Sequence, residues 1–377
     1  MNRNNKIKVY YIFQDYPIFY QPYIPPLIQS LKQFTFLDLS IQVFRNGLGK
    51  LVEILPSYTF RKIYEKCYYI LNRDTPKLNY LEIKSLKNKV DIVHLMDSYL
   101  HQKVYGLLTL PQSQRPKIVI TLRGKDTYIK PWILDKWKAF YSNFGNIVDA
   151  FIVMSNHQKS YLSNKWGINP ERIHVIPISF GNSKNVSPKH LKGNGLKIVS
   201  VFRMCWEKNI EGNLRTIKYL IEKEINVHYD LYGDGPDSEQ ILFFVDKYGL
   251  KNNVTYFGKI DNKLLKEKLH KYDIFLQLSH SEALPTSVLE AHSIGIPAII
   301  SDSGGLPEAI QPGKSGFCVP AYASEEAADL IVKLYNNPSL YYSFSKAAIS
   351  YTQKNFSIEN EVSYLLELYS KLTKKQY

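Results

Sequence analysis

Hydrophobic positions along this 377-residue chain fall in short unbroken runs, with little alternation between apolar and polar residues inside each run. Lys8–Phe13, Ser40–Phe44, Asp91–Met96, Lys117–Leu122, Asp149–Ser155 and His174–Ile178 form one series, and Lys197–Phe202, His228–Gly233, Val254–Gly258, Asp273–Leu278 and Pro297–Ser301 form a second. Every run is rich in Val, Ile, Tyr and Phe and is followed by a segment long enough for a helix. Strands buried on both faces read this way, so the pattern predicts parallel sheets covered by helices. Two doubly wound α/β domains result, over residues 1–180 and 195–355. The polar, turn-forming stretch from Phe180 to Gly195 predicts the linker between them. A closing amphipathic pattern from Phe356 to Tyr369 predicts a terminal helix.

Charge changes the picture more than bulk composition does. The net charge is +14 and the hydrophobic fraction 45%, ordinary for a globular chain. Residues 1–180 hold 25 Lys and Arg against 12 Asp and Glu, whereas residues 181–377 hold 23 against 22. The basic excess sits in the first half. It would attract nucleic acid, an anionic membrane face or acidic ligands, or it reflects a lysine-rich background of solvated side chains. The segment Leu55–Arg73 interleaves Arg61, Lys62 and Lys66 with Tyr, Phe and Ile, which reads either as a surface for an anionic membrane or as aromatics packed in a core under solvated lysines. No zinc, helix-turn-helix or RNA-binding pattern accompanies the charge, which argues against nucleic acid as partner. Cys67, Cys205 and Cys318 are too few and too scattered for a disulfide framework or a metal site. With no apolar run of membrane-spanning length and a polar start at Met1–Lys8, the sequence predicts a cytoplasmic chain that is neither exported nor integral to the membrane.

The candidate chemistry gathers in the second half. Ser281–Pro297 follows the run Asp273–Leu278, with Pro285 suited to open a helix and Gly295-Ile296-Pro297 to end it. Glu282 then lies in the loop and Glu290 inside the helix. A loop at the carboxyl end of a parallel strand, leading into a helix N-terminus, can hold an anion on free N–H groups while carboxylates accept hydroxyl donors. A diphosphate flanked by a ribose and a sugar has those needs.

Glu282 and Glu290, separated by seven residues, with Ser281, Pro285, Leu289-Glu290-Ala291, Gly295-Ile296-Pro297 and Ser301–Glu308 around them, resemble the signature of the family 4 glycosyltransferases. The resemblance implies two Rossmann-like domains facing a cleft (GT-B), with the terminal helix 356–377 crossing back onto the first. It implies transfer of a sugar from a nucleotide-diphosphate donor to a hydroxyl with retained configuration, and no cofactor. Arg203 and Lys208 match the pair that holds the donor diphosphate in the family, and Asp-x-Asp is absent, so no metal is expected. Leu284, Pro285, Thr286, Gly233 in Tyr232–Pro236, and Lys259 with Ile260 match further donor-binding positions.

In the first half, Thr121–Asp126 resembles the family's Thr-x-His-Gly-x-Asp with Arg123 in place of the histidine. Asp126 is retained as the residue expected to contact donor or acceptor. An arginine can only donate, so a mechanism in which the leaving phosphate takes the acceptor proton, as the resemblance implies, accommodates it. Gln21, in the first loop Tyr16–Ile24, is an acceptor-side candidate. So are His94 and Asp97, for each of which an ordinary structural role is the alternative. His174 reads as a core histidine. The acceptor is expected to be a glycan or a lipid-linked glycan of the cell envelope, reached by docking on the inner membrane face. Competing readings are a GT-B epimerase acting on the nucleotide sugar and, in another class, a basic nucleic-acid-binding protein.

Overall fold

The computed structural model describes residues 6–18, 21–72, 77–179, 186–191, 193 and 195–375. The expected linker at 180–185, with Lys192 and Asn194, lies outside the described residues, as do Met1 to Asn5, Phe19, Tyr20 and Arg73. The chain divides into two compact units, Met1–Pro177 with Ile358–Tyr377, and Ile178–Ser357.

The first unit is built on a seven-stranded sheet in the order β3-β2-β1-β4-β5-β6-β7. Its strands are β1 (Ile7–Phe13), β2 (Leu37–Val43), β3 (Val52–Ile54), β4 (Ile92–Leu95), β5 (Lys117–Thr121), β6 (Ala150–Val153) and β7 (Ile173–Val175). All pair in parallel, with Val9 opposite both Leu39 and Ile92. The central strands are apolar on both faces because helices cover both. Val9, Ile12, Val93, Ile118 and Phe151 have no exposed surface. Strand β3 was not foreseen. It is three residues long and exposed at the sheet edge, so burial left no apolar run to read.

The helix Ile358–Thr373 belongs to this first unit. Its Tyr369 is fully buried, and the tyrosine hydroxyl lies 2.7 Å from that of Tyr11 and 2.6 Å from His94 Nδ1. Lys375 Nζ donates to both carboxylate oxygens of Asp91 at 2.8 Å.

The second unit carries a six-stranded parallel sheet in the order β10-β9-β8-β11-β12-β13. Its strands are β8 (Leu196–Val201), β9 (Val227–Tyr232), β10 (Val254–Gly258), β11 (Ile274–Gln277), β12 (Ala298–Ser301) and β13 (Gly316–Val319). Strand β13, short and preceded by a turn, is likewise additional to the predicted set. In each unit the chain winds outward both ways from a central pair, β1/β4 and β8/β11. The loops at the carboxyl ends of such a pair diverge to opposite faces, leaving the crevice where ligands bind in this class of sheet.

Candidate functional site

In the second unit, Arg203, Lys208 and Glu282 all follow the central pair. Arg203 is exposed directly after β8, and Lys208 closes a short 3-10 turn (Trp206–Lys208) ahead of the helix Ile210–Glu222. Lys208 Nζ forms an ion pair with the Glu282 carboxylate, both side chains half-buried. Two buried residues absent from the predicted set hold this pair in place. Asn213 donates to the backbone carbonyls of Lys208 and Asn209 at 2.9 and 2.8 Å and accepts from the N–H of Leu278 at 3.0 Å, fastening the loop after β8 to the end of β11. Gln277 donates to Glu282 Oε2 at 3.3 Å. The only sign of Gln277 in the sequence is an amide closing the otherwise apolar strand Ile274–Gln277, and of Asn213 an amide inside an apolar helix face.

Glu282 is also held by its backbone. Gly305 N–H donates to its carbonyl at 2.8 Å, and Gly304 lies against the same carbonyl with φ +60°. A Cβ on Gly304 would come within 2.2 Å of that oxygen, so only glycine fits. The Ser301–Glu308 match therefore has a mechanical reason.

Helix Thr286–Ser293 begins just after Glu282. Pro285 is its N-cap residue, one position earlier than a first-turn proline, and no side chain caps it. The N–H groups of Thr286, Ser287 and Val288 lack carbonyl partners four residues back within the helix, leaving a positive end for an anion. Leu284 is buried beneath this turn. One turn on, Glu290 accepts from Asn262 Nδ2 at 3.1 Å. Burial pushes its carboxyl above the usual range, partly countered by the Lys266 charge and the Asn262 bond.

His292 on the same helix is buried, bonded to Ile296 O at 3.0 Å and Ser315 Oγ at 3.1 Å, and burial holds its pKa down at about 4. Below its ordinary value of 6.5 only the unfolded chain takes up this proton, so His292 removes stability as pH falls from 6.5 towards 4. A His292→Gln variant is expected to lose about 1.5 kcal/mol less than the parent between pH 6.5 and 5. Parallel denaturation curves at the two pH values measure this, and equal losses in the two proteins would refute it.

Gly233 sits at φ +122°, and a Cβ there would meet the Phe202 carbonyl at 1.9 Å. This close approach sets the turn after β9 against the segment bearing Arg203. The N–H of Gly233 donates to Gly258 O at 2.8 Å, which brings the exposed Lys259 and half-buried Ile260 next to it. Phe257 stacks on Tyr232 at 4.8 Å and 9°.

In the first unit, Gln21, Asp97 and Arg123 follow β1, β4 and β5, three adjacent strands. Arg123 Nη1 donates to Tyr23 OH at 3.2 Å, with the guanidinium 5.2 Å from that ring. Arg123 Nε and Gln21 Oε1 are buried without a hydrogen-bond partner. They can give one bond to a ligand and accept one. Burial raises the Asp97 carboxyl, while the backbone bond from Tyr99 and the Arg123 charge lower it.

Two first-unit candidates are hydrogen-bonded within the fold. Asp126 is only 3% exposed and accepts from the N–H groups of Arg123 and Gly124 and from Ser98 Oγ at 2.7 Å. Its lone pairs are spent on shaping the loop that presents Arg123, which is a positioning role. His94, 1% exposed, uses both ring nitrogens, Nδ1 on Tyr369 and Nε2 on Thr121 Oγ1 at 2.7 Å, and burial lowers its pKa to about 3. Both ring nitrogens are thus engaged inside the first unit, the structural role that was its alternative reading. His174, expected in a core, is half-buried.

Two family models adjoin along the chain. "Glycosyltransferase Family 4" matches residues 53–178 and "Glycosyl transferases group 1" matches residues 182–351. Among curated relatives, an N-acetyl-alpha-D-glucosaminyl L-malate synthase of Bacillus anthracis is 31% identical over 40% of this chain and 39% of its own. The putative colanic acid biosynthesis glycosyltransferase WcaL of Escherichia coli is 27% identical over 55% and 52%. The chain thus spans less than two thirds of either relative. Among solved structures, Anabaena HepE in complex with UDP superposes with a TM-score of 0.73 over 97% of this chain and 100% of that one, at 15% identity. That likeness concerns the fold.

Proposed function

Because the chain belongs to the family 4 glycosyltransferases and has their GT-B fold, we propose that it transfers a sugar from a nucleotide-diphosphate donor to an acceptor hydroxyl with retention of configuration. The observation that carries this reading is the Lys208–Glu282 pair beside the uncapped start of helix Thr286–Ser293. The diphosphate lies against Arg203, Lys208 and the free N–H groups, and Glu290 accepts from the nucleoside hydroxyls. Glu282 steadies Lys208 before the donor binds and accepts from a donor-sugar hydroxyl once the diphosphate shares the lysine. In the first unit, Arg123 and Gln21 bind the acceptor or the transferred sugar. An arginine side chain offers only donors, so the proton of the acceptor hydroxyl leaves with the phosphate oxygen of the donor.

A hexose donor and a lipid-linked or polysaccharide acceptor of the cell envelope complete the proposal. The curated relatives named for colanic acid and glucosaminyl malate synthesis support the class, and UDP bound to HepE supports a uridine nucleotide as the first to try. A thermal-shift panel over nucleotide sugars tests the donor, since a ligand that binds only the folded protein raises its melting temperature. No response to any nucleotide sugar would overturn the reading. Two cations beside the leaving group supply the charge that a divalent ion supplies elsewhere, so turnover is expected to be unchanged in EDTA. Loss of activity restored by manganese or magnesium would show that Arg203 and Lys208 do not replace a metal.

A further inference from the structure

Among the described residues, Arg123 has no ion pair. It stands at the carboxyl ends of the central strands of the first unit, where the loops after β1, β4 and β5 supply Tyr23, Asp97 and Arg123 in turn. Its backbone N–H donates to Asp126 Oδ2 at 2.9 Å, which fixes the point from which the side chain starts. The side chain itself donates once, from Nη1 to the Tyr23 hydroxyl at 3.2 Å, with the guanidinium 5.2 Å from that ring. Nε is buried and bonded to nothing, and Nη2 makes no hydrogen bond among the described residues. Two acids feel this charge, Asp97 and Asp126. Both turn their carboxylates to backbone N–H groups instead, Asp97 to that of Tyr99 and Asp126 to those of Arg123 and Gly124.

The vacant edge of the guanidinium has a definite shape. With Nη1 held by Tyr23, what remains is Nε–H beside Nη2–H, two parallel donors that match the two oxygens of one carboxylate. A buried N–H left unbonded costs stability, so the fold keeps a place for an acceptor that it does not supply. A hydroxyl offers that edge one neutral oxygen. A carboxylate offers two, together with the missing negative charge. Gln21, two residues before Tyr23, adds the complementary need, because its Oε1 is buried without a partner and can accept from a hydroxyl. The half of the chain that carries this site has 25 basic and 12 acidic residues, a balance that draws acidic ligands towards it.

We infer that the site in the first unit reads a carboxylate, and that its ligand is a sugar acid of the uronic class, with the carboxylate on Arg123 Nε and Nη2 and a ring hydroxyl on Gln21 Oε1. The inference deepens the reading of Arg123 and Gln21 as binding the acceptor or the transferred sugar, and rests on it. The same chemistry serves whether the acid belongs to the acceptor or to the transferred sugar.

Two pairs of probes on the full chain separate these sources. UDP-glucose against UDP-glucuronate tests the transferred sugar, and glucose against glucuronate, with UDP present, tests the acceptor. In at least one pair, calorimetric titration is expected to show the acid binding at least ~10-fold more tightly than its neutral counterpart, as a charge-assisted bidentate contact allows. Arg123→Gln is expected to bring the acid down to the affinity of the neutral probe. Arg123→Lys should keep part of the preference, since an ammonium supplies the charge without the fork. A general attraction of anions to the basic first unit would instead leave the preference intact in Arg123→Gln, and that result would overturn the inference. Both variants should melt close to the parent and keep its thermal shift with nucleotide sugars, which reports the donor site in the second unit separately. No shift with any nucleotide sugar removes the transferase reading and this inference with it. A shift without preference for the acid in either pair removes this inference alone.

Discussion

Lys208→Ala and Glu290→Ala are each expected to lower kcat/KM at least ~100-fold, a loss of about 2.7 kcal/mol of transition-state stabilisation. The two losses have different origins. In the proposed reaction Lys208 carries the charge that meets the departing diphosphate, so its removal is expected to fall on kcat, the step in which that charge develops. It also leaves the half-buried Glu282 carboxylate without its ion partner, which places a negative charge where the phosphate must lie. Glu290 lies deeper on helix Thr286–Ser293 and accepts a hydrogen bond from Asn262. The contacts proposed for it with nucleoside hydroxyls would be equal before and during transfer, so its loss is expected to fall mainly on KM. Neither position is in a core cluster, and both variants should melt close to the parent. Near-normal kinetics for both would remove the donor site from the ends of β8 and β11.

Much of this arrangement was legible in the sequence, and the reason is local. Parallel strands buried on both faces must be apolar throughout, so β1, β4, β5, β8, β11 and β12 announce themselves as unbroken runs. Glu282 and Glu290 stand out because glycine and proline mark the loop and helix around them. What escaped depends on pairings between distant segments. The short edge strand β3 has no buried side to mark it. Nothing local tells that Asp126 is consumed by the N–H groups of its own loop, or that His94 meets a tyrosine 275 positions away. The segment Leu55–Arg73 read as aromatic and basic, but nothing local told which face of its helix Tyr58–Leu71 the domain would take. That depended on Tyr80 and Phe44, which lie on other segments.

The largest effect on stability is expected at Tyr369, far from the donor site. Its hydroxyl joins Tyr11 and His94 in a fully buried chain that ends on Thr121, linking the helix Ile358–Thr373 to strands β1, β4 and β5 of the same unit. All of these groups are cut off from water, so each must find its partner within the chain. Tyr369→Phe keeps the ring but leaves the Tyr11 hydroxyl and His94 Nδ1 each short of a bond, at about 1–3 kcal/mol for each unsatisfied group. Tyr369→Ala also empties the volume of a large aromatic side chain, raising the cost to about 3–5 kcal/mol or more. Against a total stability on the order of 5–15 kcal/mol, the alanine variant approaches the limit at which the first unit unfolds. Urea titration followed by tryptophan emission reads this unit selectively, since Trp132, Trp137 and Trp166 lie in it and Trp206 alone lies in the other. The expected order of midpoints is parent, then phenylalanine, then alanine. A phenylalanine variant as stable as the parent would mean that the buried chain of hydroxyls and imidazole adds nothing, and that apolar packing alone seats the terminal helix.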